Sequence, residues 1–345
     1  MTMSKSRTAA VGAIVLLAAA VAGCAPAAGA SSRTVFGGSP STVPSLSSAT
    51  AGPGFGTPGG SSLGAASGAC PASGHAITAA RTVDVAGRAR TFIEHVPADP
   101  GGARLTAIIA FPGRGETAAE LESYSGLNGT GAVVLYMQAL DGAGGQPSWE
   151  ATPYQDASAH DYEFAADVVH WLAGASCVNP ARIDMTGKSD GAGFAASAAC
   201  VTPGVAAVAT VSGAFYESDS RCARAGWPIS VLNMHGTSDA VIPYDGSVTQ
   251  GLYSTDGWIG LWRDRDGCDP SGTATTPATA VTQESWSACR DGSAVVNDKI
   301  VGGGHTWPGA TAPSGPGATN EALDGAQAIA SFFAAHPLAG APTER

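Results

Sequence analysis

The sequence predicts an α/β protein, a mostly parallel sheet with helices packed on both faces. Three observations point there. Short uninterrupted apolar runs recur along the chain, as in strands buried on both faces. Segments with helical spacing separate them. The stretch from Cys70 to the end is long enough to fill one large core.

The elements follow in order. Residues 80–97 (ARTVDVAGRARTFIEHVP) read as a hairpin turning at Ala86-Gly87. LTAIIAF (105–111) and GAVVLYM (131–137) are buried strands. HDYEFAADVVHWLAGA (160–175) has helical spacing at Phe164, Val168, Trp171 and Leu172. ARIDMTG (181–187) is a strand, and GFAASAAC (193–200) is rich in helix formers. VAAVATVSG (205–213), ISVLNMHG (229–236) and DKIVGG (298–303) are further strands. NEALDGAQAIASFFAAHP (320–337) is a last helix closed by proline.

The N-terminus carries different information. Lys5 and Arg7 precede an uncharged apolar run, AAVGAIVLLAAAVAG, which is too short for a membrane span. The run ends in VAGC, so residues 1–23 read as a lipoprotein signal peptide and Cys24 as the lipidated cysteine; an ordinary secretory signal cut nearby is the alternative. Residues 24–69 are mostly Ala, Gly, Ser, Pro and Thr, with a single charge, Arg33. Such a segment cannot bury enough apolar surface to offset its ordering entropy. It reads as a flexible tether, holding the 70–345 domain on the order of 35–40 Å from a lipid anchor. Export to the cell membrane or beyond follows.

The net charge is −11, and removing Lys5 and Arg7 with the signal makes the remainder more acidic still. An acidic surface without a basic run repels phosphate backbones, so no nucleic-acid partner is expected. The membrane is reached through the N-terminal lipid only, and the protein is expected to be a monomer. The cysteines lack C-x-x-C spacing, and no two histidines share a helix face near a third ligand, so no metal site is expected.

The chemistry centres on GKSDG (187–191). Its G-x-S-x-G spacing suits a nucleophilic serine on a tight strand-to-helix turn, where residues two positions either side of Ser189 must be tiny. In a chain with 47 glycines the pattern alone says little, and GSSLG (60–64) matches it equally. GSSLG lies in the tether with no strand before it. GKSDG has ARIDMT before it and a helix former run after it. Serine needs a base, and the base an orienting carboxylate, here expected in the chain order Ser, acid, His. Asp239 follows the strand ISVLNM, and His305 follows DKIVGG. Ser189, Asp239 and His305 therefore reach the carboxyl edge of one sheet, the usual ligand edge of an open α/β sheet. His235 precedes the acid and reads as a structural loop histidine. The oxyanion hole is expected from the backbone N–H of Asp190 and that of Arg114, in FPGRGE (111–116). Trp307 and Trp149 are candidates to line the substrate pocket.

The same segments carry a resemblance. GRARTFIEHVPAD, LTAIIAFPGRGE, SCVNPARIDMTGKSDGAGFAASAAC, MHGTSDAVIPY and, most specifically, GGGHTWPG resemble the secreted polyhydroxybutyrate depolymerase and feruloyl or acetylxylan esterase group, carbohydrate esterase family 1. The resemblance covers nearly all of 75–337. It implies an α/β-hydrolase fold, no cofactor, and Ser189, Asp239 and His305 as the triad. The group commonly has His-Gly where Pro112-Gly113 stands, and Asp184, Lys188 and Ala192 also depart from it. The resemblance further suggests a Cys268–Cys289 disulfide.

Seven cysteines less the lipidated Cys24 leave an even set in an exported protein. Cys177 and Cys200 end helices descending on either side of the nucleophile strand, which suggests a Cys177–Cys200 pair and leaves Cys70–Cys222. The implied activity is hydrolysis of carboxylic esters: feruloyl or acetyl groups on polysaccharide, hydroxyalkanoate oligomers, or short-chain esters. A binding lipoprotein on an inactive scaffold and a peptidase of the same fold are the competing readings.

Overall fold

In a computed structural model, residues 75–98 and 103–338 are described. The expectations for the signal peptide, Cys24, the tether with its GSSLG copy, and Cys70 lie outside these residues.

The hairpin forms where the sequence placed it. Strands β1 (Ile77–Val85) and β2 (Arg88–Val96) pair antiparallel. Ala86 and Gly87 both have positive φ, 52° and 79°, the backbone of a type I′ turn. Asp84 closes the turn by accepting the Gly87 N–H at 3.0 Å.

Strands β3 (Leu105–Phe111), β4 (Val133–Met137), β5 (Val178–Lys188), β6 (Ala207–Val211), β7 (Ser230–Gly236) and β10 (Val295–Ile300) build the parallel centre. A hairpin of β8 (Thr273–Ala278) and β9 (Val281–Trp286) lies at one edge, with β9 antiparallel to β10. The ten-stranded order is β1-β2-β4-β3-β5-β6-β7-β10-β9-β8. β5 begins earlier than its apolar run, and β10 ends at Ile300 rather than Gly303.

The continuous apolar runs have a direct cause: alternate residues serve opposite faces, and both faces are covered. Ile109, Phe111, Met185 and Val208 face α2 (Asp161–Ala173), α3 (Asp190–Val201) and α4 (Thr255–Asp266). Ile108, Ala110, Ala209 and Met234 face α1 (Ala118–Ser125) and α5 (Gly325–Ala335). Helices α1 and α4 and the β8–β9 hairpin have no counterpart in the sequence reading. α4 carries Gly257 and Gly260, and β8 is exposed and contains Pro277. α1 is short, but its Thr117/Glu120 capping box was a readable signal.

The disulfides require a correction. Cys268–Cys289 forms as the resemblance implied. Cys200, however, pairs with Cys222 rather than Cys177, which excludes both Cys177–Cys200 and Cys70–Cys222. The reason is local. The segment after β6 folds back over α3 and places Cys222 beside the Ala196 carbonyl, one turn from Cys200. Cys177 is also disulfide-bonded.

Asp184 is a polar intruder. Its register neighbours on β3 and β6 are Ile108 and Ala207, on the face covered by α5. Neither carboxylate oxygen has a hydrogen-bond partner among the described residues. Burial pushes its pKa well up, and the Arg182 charge opposes this only partly. With the folded pKa above the unfolded one, the unfolded chain ionises first as pH rises, and stability falls from the unfolded pKa upward. We expect Asp184→Val to narrow that loss. Thermal melts should show the variant gaining on the wild type as pH goes from about 4 to 7; a gap independent of pH would refute the account.

Candidate active site

Ser189 sits between β5 and α3 with φ 56° and ψ −125°. A non-glycine residue holds such a backbone only when its surroundings over-determine it. Here they do. The Ser189 N–H donates to the Val211 carbonyl at 3.0 Å, and its carbonyl accepts from Ala192, Gly193 and Ala214 at 3.0–3.1 Å. The flanking glycines are steric necessities. A Cβ on Gly187 would lie 2.5 Å from the Gly191 carbonyl, and one on Gly191 would overlap the carbonyls of Phe111 and Pro112.

The loops after β7 and β10 are stitched together before any side chain acts. Thr237 donates to Ile300 and Ser238 to Gly303, both at 2.9 Å. They bring Asp239 Oδ2 to 2.7 Å from His305 Nδ1. Asp239 Oδ1 accepts the N–H groups of Val241 and Ile242 at 2.9 and 2.8 Å. Burial alone would raise the pKa of this carboxyl. Hydrogen bonds from His235 and His305, the His305 charge and the Ile242 N–H outweigh it and hold the group far below the usual carboxylate range. An ionised acceptor on Nδ1 puts the proton on that nitrogen and leaves Nε2 basic. His235 is buried beneath this pair. Its Nε2 lies 2.9 Å from the Ile242 carbonyl and 3.5 Å from Asp239 Oδ2, so it braces the acid loop.

Ser189 and His305 line one cavity of about 340 Å³, with Gly113, Arg114, Tyr154, Tyr216 and Ile242 also on its wall. The oxyanion-loop candidate is beside the serine: a Cβ on Gly113 would lie 3.2 Å from Ser189 Cβ. Within this loop the Gly113 N–H donates to Glu116 Oε2 at 2.9 Å, and the Gly115 N–H to the Pro147 carbonyl at 2.8 Å. The Arg114 N–H has no acceptor among the described residues. Asp190 opens α3, so its N–H has no partner within the helix. The Arg114 guanidinium lies over the Tyr154 ring at 4.0 Å and donates to the Ala143 carbonyl at 3.1 Å. The Asp190 carboxyl is buried, which raises its pKa to about 6 against the pull of Arg114 and a Tyr216 hydrogen bond.

Neither tryptophan lines this cavity. Trp149 is fully buried, stacked on Phe194 and edge-on to Phe111. Its Nε1–H donates to the Pro112 carbonyl at 2.8 Å, so it supports the oxyanion loop from below. That support is itself anchored. Arg90 and Asp161 form a fully buried ion pair at 2.7 Å. Asp161 and Glu150 exchange backbone-to-carboxylate hydrogen bonds at 2.8 Å, fixing the chain beside Trp149. Trp307 packs on Tyr124 in the core between sheet, α1 and α5. Tyr154 and Tyr216 take the wall positions instead. The only sequence signal for Tyr216 was its place just past a strand's carboxyl end. A larger cavity of about 540 Å³, lined by Phe215, Trp258 and Trp262, contains none of Ser189, Asp239 or His305.

No family model matches the chain. "Putative esterase NocK" of Nocardia uniformis subsp. tsuyamanensis is 32% identical over 295 residues, covering 75% of this chain and 83% of that protein. The chain belongs to an esterase family. Feruloyl esterase B of Piromyces equi is 30% identical over 187 residues, covering 51% of the esterase and 34% of that protein. Among solved structures, the esterase is similar to a dienelactone hydrolase-like promiscuous phosphotriesterase from metagenomic libraries, with TM-score 0.49, 17% identity, and 75% and 99% of the two chains covered. It is also similar to a hyperthermophilic esterase from the archaeon Pyrobaculum calidifontis, with TM-score 0.47, 14% identity, and 75% and 84% covered.

Trp149→Phe keeps an aromatic ring but removes the donor to Pro112 and part of the indole's buried volume. Leaving that carbonyl unpaired should cost about 1–3 kcal/mol of folding stability in a urea titration. An unchanged midpoint would show that the hydrogen bond holds nothing.

Proposed function

We propose that the esterase hydrolyses carboxylic esters through Ser189, His305 and Asp239. The observation that carries this reading is the His305–Asp239 hydrogen bond of 2.7 Å beside a serine held in a strained turn. His305 Nε2 takes the Ser189 proton as the oxygen attacks the ester carbonyl. The negative charge on the carbonyl oxygen is met by the N–H groups of Asp190 and Arg114. His305 then protonates the leaving alcohol, and water repeats the cycle on the acyl-enzyme. Asp239 stays ionised throughout, orienting His305 and balancing its charge.

The substrate class we favour is an acyl ester carried on a larger molecule: feruloyl or acetyl esters on polysaccharide, or hydroxyalkanoate oligomers, with simple short-chain esters also turned over. The similarity to Feruloyl esterase B supports the first. The cavity volume is in the range that holds a small acyl or alcohol group. Export is supported by the disulfides Cys200–Cys222 and Cys268–Cys289. The lipobox-like VAGC adds a membrane anchor at Cys24.

A fluorophosphonate probe should label the wild type and fail on Ser189→Ala; an unlabelled wild type would sink the triad reading in favour of a binding protein. A panel of methyl ferulate, acetylated xylan, hydroxybutyrate oligomers, p-nitrophenyl acetate and a peptide p-nitroanilide then ranks substrates, and preferential amide turnover would point to a peptidase. Cys24→Ala should move the protein from the membrane fraction to the soluble one. Unchanged partitioning would refute lipidation.

A further inference from the structure

We propose that the Glu116–Lys188 ion pair is the positioning device of the oxyanion loop. It selects the backbone N–H that faces Ser189, and it neutralises a carboxylate where negative charge develops. The proposal rests on the acyl-transfer reading above.

Lys188 is the last residue of β5 and directly precedes Ser189; Glu116 closes the loop after β3. Lys188 Nζ lies 2.6 Å from Glu116 Oε1, with the side chains 2% and 22% exposed. An ammonium so deeply buried needs its partner, because an unpaired buried charge is far costlier than a paired one. The other carboxylate oxygen is occupied too. Glu116 Oε2 accepts the Gly113 N–H and the Tyr124 hydroxyl, each at 2.9 Å. One carboxylate thus ties the oxyanion loop, helix α1 and the nucleophile strand together. Lys188 also meets the loop that returns to His305, since a Cβ on Gly315 would lie 3.3 Å from its Nζ.

Two consequences follow. Glu116 takes the Gly113 N–H and Pro147 takes that of Gly115. The plane between them is fixed as well: the Gly113 carbonyl accepts the Glu116 N–H at 3.1 Å, and in a rigid trans peptide the Arg114 N–H then points the opposite way. The second consequence is electrostatic. Glu116 and Lys188 both line the cavity that holds Ser189. A lone carboxylate there would oppose the oxyanion, and the low effective dielectric would magnify the repulsion. Paired with Lys188 it keeps its hydrogen bonds without that penalty. Glu116 and Lys188 are positioning residues; neither needs to touch the substrate.

The test is a double-mutant cycle on p-nitrophenyl acetate with wild type, Lys188→Met, Glu116→Gln and the double variant. Lys188→Met, which strands the carboxylate, should lower kcat by about 10²-fold while KM stays within about threefold. The double variant, with a neutral amide in place, should recover at least about tenfold of the lost kcat. A purely structural role predicts instead that kcat and KM move together, or that the kcat loss follows the loss of folded protein in a urea titration, and additive losses would show no coupling at all; any of these results overturns the proposal. Should Lys188→Met not fold, Lys188→Arg must exceed Lys188→Gln in kcat, and parity overturns it equally. Wild-type labelling by fluorophosphonate separates the two levels: no labelling sinks the triad and this proposal together, whereas a labelled wild type with no coupling in the cycle sinks the ion pair alone.

Discussion

The constraint on which the site depends is the close approach of three backbone segments at Gly191. The carbonyls of Phe111 and Pro112 occupy the volume a Cβ at Gly191 would need, and the Gly191 carbonyl does the same to Gly187. That contact lets α3 begin directly against the end of β3. It forces Ser189 into its positive φ, and the same geometry puts the oxyanion loop beside the serine. The bonds to Val211, Ala192, Gly193 and Ala214 hold the strained conformation. The strain is therefore offset by backbone hydrogen bonds from both β6 and α3, elements whose buried faces are filled from both sides of the sheet.

From this point the site grows outward in layers. Pro112 is fixed twice, by its packing on Gly191 and by the Trp149 indole below it. Trp149 is fixed by the exchange between Glu150 and Asp161, and Asp161 by Arg90 on β2. A buried ion pair is weak evidence of net stability. Here its use is directional, since it ties β2 to the loop that carries Trp149 and Glu150. The acid and histidine loops need no such chain, because backbone bonds between Thr237 and Ile300 and between Ser238 and Gly303 dock one loop on the other.

The sequence made the fold legible because burial on both faces writes strands as continuous apolar runs, and β3, β4, β6 and β7 all read that way. The elements that escaped are those whose burial is one-sided or absent: α4 with two glycines, and the β8–β9 hairpin with an exposed, proline-containing strand. The meeting of Ser189, Asp239 and His305 at one edge followed from strand order alone. The roles of Trp149 and Trp307 did not, because position in a loop near the carboxyl edge does not tell which way a ring faces. Trp149 turned inward, where its indole N–H found the Pro112 carbonyl. The cysteine pairing failed for a similar reason. Helix ends placed Cys177 and Cys200 at one level of the sheet, but the chain after β6 brought Cys222 closer.

The acidity of the chain sharpens the problem its site must solve. Ester hydrolysis builds negative charge at the substrate oxygen, and three carboxyl groups, Glu116, Asp190 and Asp239, lie around the site. Each is answered differently. Asp239 is held ionised by two histidines and two N–H groups, and in the mechanism we propose it balances the imidazolium that forms as Ser189 attacks. Asp190 is buried against solvent, with its pKa lifted to about 6 and Arg114 opposing its charge. Glu116 is paired with Lys188, and its other carboxylate oxygen accepts the Gly113 N–H and the Tyr124 hydroxyl. The residue flanking Ser189 on one side is thus that lysine, and on the other the partly compensated aspartate. GKSDG places a cation and an acid around Ser189, and the loop FPGRGE supplies the opposite charges in reverse chain order, Arg114 to Asp190 and Glu116 to Lys188.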